Sequence, residues 1–79
     1  MKYSNTKIRL LAVEQILLNN HYGISLKSIK DILDYRFEIK SDRKAIYDDI
    51  YALSRFYDVQ MIARGNTVIY KMEALNGNN

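Results

Sequence analysis

SDRKAIYDDIYALSRFYD, residues 41–58, decides how this chain folds. Ile46, Ile50, Leu53 and Tyr57 follow the +4, +7, +11 rhythm of a helix face that turns towards a core. Ser41 supplies a start signal, because a serine hydroxyl accepts from a backbone amide that the first helical turn leaves free. The spacing predicts a helix over residues 42–57. On its other side Lys44, Tyr47, Asp48, Tyr51 and Arg55 share an exposed arc of about 100°. Asp48 and Asp49 point about 100° apart, so they cannot share a metal ion. Asp49 borders the core stripe and reads as an ion-pair or capping partner.

Upstream, Ser25 caps a second helix predicted over residues 26–36, with Leu26, Ile29, Ile32 and Leu33 on its inner face. Lys27 with Asp31, and Lys30 with Asp34, stand four residues apart and give modest support to its wet face. Residues 35–40 read as a turn in which Phe37 and Ile39 anchor the chain in the core. Before it, Ile24 has room for a very short strand. Gly23 closes a break, residues 19–23, that accommodates a positive φ.

The first helix is predicted over residues 5–20, with Ser4, Asn5 and Thr6 available as caps. Ile8, Leu10, Leu11, Ala12, Val13, Ile16, Leu17 and Leu18 cover more than one of its faces. That breadth fits a central helix packed by the other two. It also fits a helix that lends one face to a homodimer.

Downstream, residues 59–63 and 68–72 are β-branched, alternating runs. Between them the Gly65–Asn66 pair suits a tight hairpin. Residues 73–79 are rich in asparagine and lack periodicity. The expectation is one domain over residues 1–73 and a disordered tail over 74–79.

The order helix, helix, helix, hairpin predicts a mainly α fold with a small β hairpin. This is a winged helix-turn-helix, a three-helix bundle with a two-stranded wing. With 79 residues the chain has room for a single domain that buries about 60% of its unfolded surface. It has no cysteine, which excludes disulfides and thiol chemistry and suits a cytoplasmic location. No segment reaches the roughly 20 apolar residues of a membrane span, and Arg9, Glu14 and Gln15 interrupt any signal peptide. The lone histidine, His21, falls in a loop without triad partners, and the glycines form no phosphate-cradling loop. Neither an enzyme nor a cofactor is expected. A net charge of +3 permits a nucleic-acid partner without requiring one.

Residues 6–72 resemble the N-terminal domain of WYL-domain and DeoR-type bacterial transcription regulators. Their third helix typically reads S-x-R-T-[VI]-Y-R-D-I-x-x-L. The matching residues here are Ser41, Arg43, Ile46, Tyr47, Asp49, Ile50 and Leu53. Two positions depart: Asp48 stands where the family has arginine, and Ala45 where it has threonine. Such regulators usually continue into a ligand-sensing domain. The resemblance implies either an excised DNA-binding domain, which would dimerise through the first helix or through a further C-terminal domain, or a small stand-alone protein.

The predicted partner is double-stranded DNA. Lys44, Tyr47 and Asp48 would face the bases, with Tyr51 and Arg55 on the same arc. Lys40, Ser41 and Arg43 surround the helix start, where free amides favour a phosphate. Arg64 at the wing tip would enter the minor groove. An acid at position 48 repels phosphates but can accept from a cytosine amine. A second function also fits: a protein-binding module or phage-type inhibitor that uses the tyrosine-rich face, since tyrosine is enriched in interface cores.

Overall fold

The computed structural model describes residues 5–75. Its elements are α1 (Asn5–Leu18), β1 (Ile24–Ser25), α2 (Leu26–Phe37), α3 (Arg43–Leu53), β2 (Tyr57–Arg64) and β3 (Thr67–Ala74). The strands form one antiparallel sheet in the order β1-β3-β2. The fold is thus three helices with a three-stranded sheet, a larger β component than the small two-stranded hairpin predicted. No helix among the described residues is long and apolar enough to cross a membrane.

The core lies where the helices meet one face of the sheet. Val13 and Leu17 of α1, Ile29 and Leu33 of α2, and Ile46 of α3 are fully buried. Tyr70 and Met72 close the core from β3, and Ile24 joins them from β1. α1 is not buried all round, because Leu11 and Ile8 stay exposed.

The Ser25 hydroxyl caps α2 by accepting from the Ser28 amide at 3.1 Å, as predicted. α2 runs through Phe37 before Glu38 takes a left-handed conformation at φ 56 and its amide bonds the Leu33 carbonyl. No glycine marks this stop, which is why the sequence placed the turn too early. Ile39 is buried as expected, but Phe37 is exposed on the last helical turn. Lys27 pairs with Asp31 at 2.9 Å, whereas Asp34 pairs with Lys40 at 3.1 Å and not with Lys30.

α3 differs from its prediction at both ends. Asp42 is the N-cap, its Oδ1 accepting from the Ala45 amide at 2.8 Å. Ser41 and Asp42 are comparable capping residues, so local chemistry does not rank them. At the other end the amides of Arg55 and Phe56 bond the carbonyls of Ala52 and Leu53, a tightening of the last turn that ends the helix. Tyr57 therefore leaves the helical stripe and opens β2, opposite Ala74. Its half-buried ring and the hydroxyl bond it donates to Glu14 Oε2 at 2.5 Å favour this position.

Arg64 pairs with Thr67 across a two-residue loop, and Gly65 has φ 64, as a hairpin turn with glycine at its first central position requires. Gly23 has φ 103, and a Cβ there would stand 2.1 Å from the Ile69 side chain, so β1 closes on β3 only with glycine. β3 continues through Ala74, into the segment read as a tail; residues 76–79 lie outside the described residues.

Candidate nucleic-acid interface

α3 is fixed from its inner side. Ile46, Ile50 and Leu53 are buried, and so is Asp49. Arg9 of α1 donates from Nε to Asp49 Oδ2 at 2.5 Å and from Nη2 to Oδ1 at 3.1 Å. This two-bond fork sets the rotation of α3 against α1. The hydrogen bond to Asp49 raises the Arg9 pKa above its ordinary value, so Arg9 stays charged. Asp49 thus takes the ion-pair role the sequence suggested, but its partner lies 40 residues away and left no local signal.

With α3 held so, the opposite arc faces outward. Lys44, Tyr47, Asp48 and Tyr51 are all exposed along it. Tyr47 leans on Tyr70 of β3 with ring centroids 6.2 Å apart and planes at 69°, an edge-to-face contact. Burial first, then the adjacent Tyr47 hydroxyl, pushes the Tyr70 phenol up to about 12. Tyr47 therefore joins α3 to the hairpin as well as facing solvent.

Two grooves flank Tyr47. One runs between the starts of α2 and α3 and the hairpin turn, lined by Ser25, Lys27, Arg43, Asn66 and Thr67. The other lies between α3 and β2, lined by Tyr51, Ile50, Val59, Met61 and Tyr70, with Asp48 at its edge. The first is polar and cationic, and the second is mostly apolar.

The predicted site residues do not all converge. Arg43, Lys44, Tyr47, Asp48 and Tyr51 share the outward side of α3. Ser41 precedes the N-cap, and its buried hydroxyl oxygen has no hydrogen-bond partner among the described residues. Arg55 is not on α3; it sits in the turn past Leu53, beyond the far end of a helix about 16 Å long at 1.5 Å per residue. Arg64 pairs with Thr67 on the sheet face opposite that of Tyr70, and lines a separate groove with Asn20, Gly23 and Ser28. Lys40 is engaged by Asp34 at 3.1 Å, and Lys44 by Asp48 at 3.5 Å. Among the described residues Arg43, Arg55 and Arg64 make no ion pair.

Asn66 and Thr67, expected only as hairpin-turn residues, and Tyr70 beneath Tyr47 join the site without having been site candidates. The shared parity of Val68, Tyr70 and Met72 on a strand was the signal for Tyr70.

No protein-family model matches the chain, and no curated protein or solved structure matches it.

Proposed function

We propose that this chain is a winged helix-turn-helix DNA-binding module of a bacterial transcription regulator, acting by binding and not by catalysis. α3 would enter the major groove and the β2–β3 turn would serve as the wing. The observation that carries this is the seating of α3. Its inner side is locked by Asp49 and three apolar residues, while its outer side stands free beside the hairpin. A rigid, outward helix flanked by a hairpin is what groove insertion requires. Arg43, which makes no ion pair among the described residues, stands at the helix start, where a phosphate is best held. Asn66 and Thr67 across the same groove would extend that phosphate contact, as would Lys27 on giving up its exposed pair with Asp31. The short β1 strand ties the start of α2 to the wing, so both would meet the duplex together.

Asp48 does not undo this assignment. Lys44 neutralises it at 3.5 Å, so the arc carries no uncompensated acid. A cytoplasmic location follows from the assignment.

The test is a titration of fluorescent random-sequence duplexes at low and moderate salt. Affinity should fall steeply with salt, because each neutralised phosphate releases counterions. Arg43→Glu should weaken all sequences about equally. Asp48→Arg should tighten non-specific binding. A second function has its own observation: Tyr51, Met61 and the apolar groove between them suit a protein partner. If no duplex binds at low salt while the fold is intact, the protein-binding assignment replaces the first.

A further inference from the structure

The side chains on the outward arc of α3 differ in how free they are. Lys44 and Asp48, the two charged readers, hold each other at 3.5 Å. The two tyrosines are not so engaged through their polar ends to any base-reading neighbour. Tyr47 keeps about half its surface exposed at 47%, with its ring angle set by Tyr70. Tyr51 is 73% exposed, and Met61 of β2, at 69%, flanks the same groove. Apart from Arg43 at its start, which holds a phosphate in the assignment above, the arc carries no arginine, the commonest reader of guanine, and it has no asparagine or glutamine, the side chains that pair with adenine.

Apolar contact with the thymine C5-methyl group is one way a side chain recognises a base in the major groove, and an exposed aromatic ring can make it. Tyr47 and Tyr51 are four residues apart, about 6 Å along the helix at 1.5 Å per residue. That distance approaches two base-pair steps of about 3.4 Å each. Resting on the DNA-binding assignment above, we propose that Tyr47 and Tyr51, with Met61 beside them, select sites by contacting thymine methyl groups about two base pairs apart. The Arg43 groove supplies the sequence-independent phosphate contact.

The experiment begins with selection of duplexes from a random pool on the whole chain, followed by replacement of each thymine of the selected site by deoxyuridine. That change removes one methyl group and leaves every hydrogen bond in place. Selection should enrich A·T pairs two steps apart. Each sensitive replacement should weaken binding about fourfold, the value of one buried CH₂ group. Tyr51→Ala removes a largely exposed ring from outside the core and should abolish one of the two sensitivities. Tyr47→Phe keeps the ring against Tyr70 and should preserve the other. If deoxyuridine replacement changes nothing while random duplexes still bind with steep salt dependence, methyl recognition is wrong and DNA binding stands. If no duplex binds at all, both fall.

Discussion

Asp48 and Asp49 are neighbours in sequence, and each pairs with a cation, yet they belong to opposite sides of α3. Asp49 turns inward, where its side chain is 6% exposed and takes two bonds from Arg9. Asp48 turns outward, where its side chain is 66% exposed and meets Lys44 at 3.5 Å. A rotation of about 100° separates an ion pair that fixes the fold from one that trims the charge of a surface. The first has been removed from water, so breaking it strands a charge. The second is screened and is worth about 0.3–0.5 kcal/mol. The inner side of α3 is therefore scaffold, and the outer side is free to change.

The contrast can be broken from the inner side first. Leu53 is buried beside Ile46 and Ile50. Leu53→Ala should cost about 2–5 kcal/mol in denaturant melts, much of the stability of so small a domain. A loss below about 1 kcal/mol would mean the inner stripe is misplaced.

Asp49→Ala should cost about 3 kcal/mol, the lower end for a broken buried pair because Arg9 still reaches solvent. Changing both partners, Arg9→Met with Asp49→Leu, should recover most of that loss. If the double variant is no better than the single one, the pair's role is not electrostatic.

Tyr70 tests the seam between α3 and the hairpin. Its phenol is pushed up to about 12, above the ordinary 10, so folding favours the protonated form. That stability is fully present below about pH 10 and is lost as pH rises towards 12. Melts across this window should show a fall that Tyr70→Phe makes smaller, the remainder including Tyr57, whose phenol is also pushed up by its hydrogen bond to Glu14. An equal fall in the variant would place the alkaline sensitivity elsewhere.

The smallest effect belongs to the outer side. Asp48→Ala should move stability by less than about 0.5 kcal/mol. A cost comparable to Asp49→Ala would erase the distinction between the two sides.

Periodicity made the helix–helix–helix–hairpin order legible, because burial and spacing coincide in α2, α3 and the β3 strand. The end of α3 was not legible. Tyr57 continues the helical rhythm arithmetically, and only its pairing with Ala74 and its bond to Glu14 draw it into a strand. The helix start slipped by one residue because Ser41 and Asp42 both cap well. Of the candidate site, the arc from Lys44 to Tyr51 was readable from 3.6-residue spacing alone. Arg55 was lost with the helix end. The position of Arg64 depended on strand parity at the turn, which a sequence fixes only once the hairpin register is known. Arg9 with Asp49 joins distant segments, and no local pattern announces such a pair.

The central claim is that the outer side of α3 meets DNA while its inner side only supports it. Backbone amide chemical shifts followed during titration with a short random-sequence duplex test this most directly. The account predicts shifts at Arg43, Lys44, Tyr47 and Tyr51 and at Asn66 and Thr67 of the hairpin turn, with α1 residues such as Val13 and Leu17 unmoved. Shifts confined to a separate groove between α1 and the ends of α3 and β3, lined by the exposed Leu11, Phe56 and Leu75, or no shifts at any duplex concentration, would contradict it.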